Sequence, residues 1–234
     1  MATRYAIYYV PAADTALWRF GSEVLGYDAF TGQDVPQWHP AATTASAWHE
    51  MTADPRLYGF HATLKAPFRA ADDQDDAAIT SNFMAFAKAH RPVDLGAWII
   101  RPIPSSRDGR AFLAMVPAKP PGELAELEGS IVRHFDGLRA PLTPAEIARR
   151  NPDRLSERQR AYLHAHGYPH VLEEFRFHMT LSGAIENAAA IGERLDQRAK
   201  ELEVVPHLCI DRLGLFRQED SGRFRVIDVA LLQG

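Results

Sequence analysis

Gly59-Phe60-His61-Ala62-Thr63-Leu64 and Arg176-Phe177-His178-Met179-Thr180-Leu181 carry one pattern twice, Phe-His-x-Thr-Leu, with the histidines 117 residues apart. Each copy sits in a stretch whose aromatic and β-favouring residues predict a strand, Leu57 to Leu64 and Glu174 to Leu181. The segment after each copy repeats as well. After the first, Asp72, Asp73, Asp75 and Asp76 open a helix with Ile79, Phe83, Phe86 and Ala87 on one face, closed by His90, Arg91 and Pro92. Strands over Val93 to Ile103 and Arg110 to Val116 come next, with Asp108-Gly109 as their turn. After the second copy, a helix over Asn187 to Glu203 precedes strands His207 to Phe216 and Arg223 to Leu232. From His61 to Gly109 is 48 residues and from His178 to Gly222 is 44, so the halves share order and nearly share spacing. The reading is an internal duplication.

Working outward, Tyr5 to Val10 predicts a strand ended by Pro11, and Asp14 predicts the cap of a helix stopping near Gly26. The stretch from Thr31 to Ala53 reads as loop with one helix. Leu124, Leu127, Ile131 and Phe135 fall at helical spacing, and Thr143 with Glu146 and Ser156 with Gln159 match capping boxes that open two more helices. The expected fold is α+β: a duplicated, two-lobed single domain over residues 1–234, with two pseudo-symmetric antiparallel sheets and outer helices around a central cleft. Its halves run over 1–120 and 168–234, and 121–167 is a helical linker or insertion.

Composition narrows the function classes. With 46% apolar and 24% charged residues, the chain is of ordinary globular type. A net charge of -4 argues against a protein that coats nucleic acid by charge alone. The single Cys209 excludes an intrachain disulfide and a Cys-rich zinc site. No apolar run is long enough to cross a bilayer, and Arg4, Asp14 and Arg19 interrupt the first twenty residues where a signal peptide would be apolar. The expectation is a cytoplasmic protein with no membrane contact and no obligate protein partner.

In a strand, alternate residues face one side, so His61 points with Thr63 and His178 with Thr180. If the halves pack about a pseudo-twofold axis, two imidazoles and two hydroxyls meet in one cleft. Histidine, with an ordinary pKa of about 6.5, populates both protonation states near neutrality. One ring can take a proton from an attacking oxygen while the other protonates the leaving oxygen, and threonine hydroxyls can hold non-bridging phosphoryl oxygens. No metal and no cofactor is needed. The same alternation adds Gly59, as room for substrate, Lys65 beside His61, and Arg176 beside His178, the two cations aimed at a phosphate. Tyr8 is a candidate to stack on a base or sugar, against the commoner role of core packing. The five arginines between Arg149 and Arg160 read as a solvated helix face, with the guidance of a polyanion as the sharper alternative. His164, His166 and His170 read as surface histidines in preference to a metal site.

The paired motifs resemble those of the 2H phosphoesterase superfamily, and RYAIYYVP, GFHATLKAPF and FRFHMTLSG most resemble an uncharacterised branch associated with phosphonate-utilisation genes. The resemblance covers most of the chain. It implies two pseudo-symmetric lobes, metal-independent chemistry, and catalytic roles for His61 and His178 with Thr63 and Thr180 binding substrate. The expected function is therefore a hydrolase that cleaves a cyclic phosphate or 2',5'-type phosphodiester of a nucleotide or small phosphorylated metabolite. Two other readings stand beside it: a non-catalytic nucleotide or phospho-ligand binding module, and an RNA-end ligase or processing enzyme, RNA being the less favoured partner.

Overall fold

The two strands that carry the motif meet. In the computed structural model, which describes residues 3–105 and 110–234, β4 (Ala62–Phe68) and β8 (Met179–Thr180) pair antiparallel through Ala62 and Met179. They lie at the middle of one seven-stranded sheet. On the β4 side follow β1 (Arg4–Tyr9), β10 (Arg212–Gln218) and β11 (Arg225–Leu231), and on the β8 side β7 (Ala111–Pro117) and β6 (Trp98–Pro104). The order is β11-β10-β1-β4-β8-β7-β6, with antiparallel neighbours throughout.

The α+β class and antiparallel pairing agree with expectation, whereas the two separate sheets do not appear. The reason lies in which strands the hairpins join. The β6–β7 hairpin follows the first motif in sequence but pairs with the strand of the second. The β10–β11 hairpin follows the second and pairs with β1, beside the strand of the first. Each half is thus completed by the other's hairpin, and backbone pairing of β4 with β8 fuses them. Two short pairs stand apart: β2 (Tyr27–Asp28) with β3 (Gln33–Asp34), and β5 (Val93–Gly96) with β9 (Leu208–Ile210).

The helices follow their sequence signals closely. α1 (Ala16–Leu25) is capped by Thr15, not Asp14, and ends on Gly26 in the left-handed region at φ 75°. α2 (Ala45–Met51) and α3 (Ala53–Arg56) fill the stretch read as loop with one helix. α4 (Asp76–Lys88) starts at Asp75, whose carboxylate accepts the Ala78 N–H. α5 is Gly122–Asp136. α6 (Pro144–Arg149) and α7 (Glu157–His166) both begin with complete capping boxes, and α8 is Ala188–Glu201. The turn expected at Asp108-Gly109 lies outside the described residues.

One face of the sheet is covered by α4, α5 and α8. Tyr5 reaches Asp76 of α4, Lys65 reaches Val132 and Asp136 of α5, and Gly192 of α8 comes so close to Leu113 of β7 that an added Cβ would sit 3.2 Å from its side chain. Alternation along the strands turns Tyr8, Thr63 and Thr180 to the opposite face. That second face holds the site, and the segment from α6 to Tyr168 lies against part of it.

Candidate functional site

Continuing the Ala62–Met179 register by one residue each way sets His61 opposite Thr180 and Thr63 opposite His178. The four side chains form a two-by-two patch on one face, related by the local twofold of the antiparallel pair. Cross-strand neighbours of this kind stand about 4.5–5.5 Å apart at Cβ. Pairing at the sheet centre, not packing of two lobes across a gap, brings the motifs together.

Each imidazole is oriented in the same way. His61 Nδ1 donates to the carbonyl of Gly59 at 2.8 Å, and His178 Nδ1 to that of Arg176 at 2.7 Å. With Nδ1–H committed to a carbonyl, the neutral ring presents a bare Nε2. At His61 the Thr63 hydroxyl lies 3.2 Å from that nitrogen and can donate to it.

The surroundings differ in depth. Tyr8 is fully buried and stacks on His61 with ring centres 3.8 Å apart, while Tyr58 and Phe216 stand at 6.1 and 6.2 Å. Burial in this aromatic nest pushes the His61 pKa down to about 4, against the upward pull of the Gly59 carbonyl, and the nearby His178 lowers it further. His178 has Phe112 at 5.6 Å, and burial lowers its pKa also. At neutral pH both rings are uncharged.

Three expected participants prove to be placed otherwise. Lys65 is turned to the other face because the register of β4 against β1 slips between Tyr8–Thr63 and Ile7–Lys65, and a bulge reverses alternation beyond it. Its ammonium is buried, donating to the Val132 carbonyl at 3.1 Å and to Asp136 at 3.0 Å. Arg176 turns its guanidinium to the backbone carbonyls of Glu173 and Phe175, and serves the site through its own carbonyl. Tyr8 meets the histidine ring and no solvent, so it supports His61 from behind instead of stacking on a ligand. Gly59 is required for backbone reasons: its φ is 76°, and a Cβ there would come 2.7 Å from that of Ala29.

Sequence reasoning missed a set of residues at the margin of the patch. Tyr58, Arg4, Arg150 and Tyr168 surround a cavity next to it. Tyr58 immediately precedes the motif but carries no pattern of its own, and Arg150 belongs to the run read as a solvated face, with guidance of a polyanion as the alternative. Of the histidines expected at the surface, His164 and His170 are exposed, His170 edge-on to the Tyr168 ring, whereas His166 is half-buried and lies 3.6 Å from Asp136. Among the described residues no cluster of His, Cys, Asp or Glu could hold a metal, and no helix is long and apolar enough to cross a membrane.

The chain is 37% identical over 226 residues to a Janthinobacterium sp. (strain Marseille) protein named ribose 1,5-bisphosphate phosphokinase PhnN, covering 94% of this chain and 48% of the relative. It is 29% identical over 219 residues to a Laribacter hongkongensis (strain HLHK9) protein of the same name, covering 94% and 49%. The chain therefore spans about half the length of these curated relatives. Their name corrects the expected activity: a phosphokinase transfers a phosphoryl group, so hydrolysis of a cyclic or 2',5'-type phosphodiester is not what these relatives support. The PhnN name agrees with the phosphonate association expected from the motifs. Among solved structures, the TT0787 protein of Thermus thermophilus aligns over 100% of this chain and 99% of its own at 13% identity and a TM-score of 0.44. From Thr63 to Arg225 the sequence matches the family model described as protein of unknown function (DUF1045), and the chain belongs to that family.

Proposed function

We propose that this chain binds a phosphorylated ribose, with one phosphate held over the patch of His61, Thr63, His178 and Thr180. The observation that carries the reading is the repeated orientation of the two imidazoles, each with Nδ1 tied to a carbonyl and Nε2 left without a proton, at His61 beside the Thr63 hydroxyl. The ligand class follows the ribose 1,5-bisphosphate in the name of the relatives. The sequence contains no Gly-x4-Gly-Lys-Ser/Thr loop of the kind that cradles nucleotide phosphates. Its part in phosphoryl-transfer chemistry is accordingly the ribose-phosphate side.

Two neutral rings with bare nitrogens accept protons; they do not attract an anion by charge. A phosphate monoester, whose second pKa is about 6, brings both the proton and the charge. Below about pH 6 its P–OH hands a proton to Nε2, and above that pH the dianion binds with a proton taken from solvent; the resulting imidazolium and phosphate dianion hold each other in a water-poor setting where such pairs are strengthened. The threonine hydroxyls donate to the remaining oxygens. Binding is therefore coupled to protonation of the site. Because the free histidines have lowered pKa values and the ligand raises them, affinity is highest at low pH and falls as pH rises through the ligand-bound value.

Calorimetry with ribose 1,5-bisphosphate at pH 6 and pH 8 tests this. Expected are at least a tenfold loss of affinity in His61→Ala and in His178→Ala, weaker binding at the higher pH, and proton uptake on binding. Equal affinity in wild type and both variants would contradict it.

A further inference from the structure

Beside the patch lies a cavity of about 680 Å³, within the range of about 300–1,000 Å³ usual for small-molecule sites. Its floor is the same sheet face, since alternation along β1 puts Arg4 with Tyr8. Its far wall is the segment from Thr143 to Tyr168. Tyr58 belongs both to this cavity and to the aromatic surround of His61.

Five arginines among the described residues line it, and they divide into two kinds. Arg69, just past β4, is paired with Glu146 of α6 at 3.1 Å and so holds the wall to the sheet, while Arg139 is paired with Asp136 of α5 at 2.9 Å and donates to the Ala165 carbonyl at 2.7 Å. Arg4, Arg149 and Arg150 are in no ion pair among the described residues. The Arg4 Nε donates to the Gln218 side chain at 2.8 Å, Arg150 lies over the Tyr168 ring at 5.2 Å, and Arg149 is exposed. The carboxylates at the cavity lining are those of Glu146 and Asp220, the first already engaged by Arg69 and the second with a contact of its own. Three guanidiniums with no carboxylate partner among the described residues, lining one concave space, make a receptor for a phosphate, whose oxygens match the guanidinium fork.

We infer that this cavity is a second anion subsite, in which Arg4, Arg149 and Arg150 hold a further phosphate of the ligand whose first phosphate lies on the histidine patch. The inference rests on the proposed ribose-phosphate reading. It makes the site selective for a sugar phosphorylated at two ends, and it assigns the α6 to Tyr168 segment the task of supplying two of the three cations.

The experiment compares wild type with the Arg149→Ala/Arg150→Ala double variant, both side chains lying on the wall and outside the sheet. Wild type is expected to bind ribose 1,5-bisphosphate at least tenfold more tightly than ribose 5-phosphate, and the double variant to reduce that ratio to threefold or less with an unchanged melting temperature. A ratio near one in wild type, or one undiminished in the double variant, would overturn the subsite. Titration with inorganic phosphate separates this from the histidine patch. Two phosphates are expected in wild type and one in the double variant. If the double variant loses one phosphate while His61→Ala/His178→Ala keeps two, the arginine subsite stands and the histidine reading falls. If the double variant still takes two, the subsite falls.

Discussion

The two copies of the motif teach most where they differ. Around His61 the strand is long, Ala62 to Phe68, and hydrogen-bonded on both sides, to β1 and to β8. Around His178 the ladder shrinks to Met179–Thr180, and the residues before it run through a short 3-10 turn, Leu172–Glu174. His61 is enclosed by Tyr8, Tyr58 and Phe216, whereas His178 has Phe112. Four residues after each histidine comes a buried polar side chain solved differently: Lys65 pairs with Asp136, and Ser182 accepts the Leu113 N–H at 3.1 Å while donating to the Gly183 carbonyl at 2.9 Å. One pattern thus gives a fixed imidazole in a rigid strand and a second, more lightly supported one.

The largest asymmetry should come from the ring supports. Tyr8→Ala removes a fully buried aromatic at the sheet centre and should cost about 3–5 kcal/mol in urea unfolding, while Phe112→Ala, at a half-buried position, should cost well under half as much. Equal losses would remove the distinction between the two rings. Next come the positions four residues on. Lys65→Ala leaves Asp136 with Arg139 and the Val132 carbonyl without its donor, for a loss of about 3 kcal/mol. Ser182→Ala strands one buried N–H, for about 1–2 kcal/mol. A Lys65→Ala variant with wild-type stability would refute the structural role and reopen the side chain as a phosphate ligand. The smallest effect is at the threonines: Thr63→Val removes a hydroxyl 3.2 Å from His61 Nε2 and should shift the His61 imidazole signals more than Thr180→Val shifts those of His178.

How much of this was legible in the sequence depends on the range of the interaction. Capping at Thr143, Ser156 and Asp75 is settled within four residues, and all three helices begin where the signals lie. Co-facing of His61 with Thr63 needs strand alternation alone. Lys65, two residues further, escapes that rule because the bulge depends on how β4 registers against β1, a partner some sixty residues away in sequence. The short β8 arises because Phe175 to Phe177 give up strand pairing, and the exchange of hairpins between halves is a matter of topology that no local pattern records. Arg149 and Arg150 belong to a run of like charges whose ordinary reading is solvation; only the fold that brings this segment over the sheet next to Arg4 makes them a lining.

In the proposed ribose-phosphate reading, two neutral imidazoles receive a phosphate dianion together with a proton. Nitrogen-detected NMR of His61 and His178 across pH, with and without saturating ribose 1,5-bisphosphate, addresses it directly. The free protein should show His61 unprotonated at Nε2 down to about pH 4 and His178 titrating below the ordinary imidazole range, with Nδ1 carrying the proton in both. The ligand should convert at least one ring to imidazolium at pH 7. Signals from both rings that stay unmoved by ligand, while calorimetry records its binding, would put the phosphate elsewhere and contradict the account.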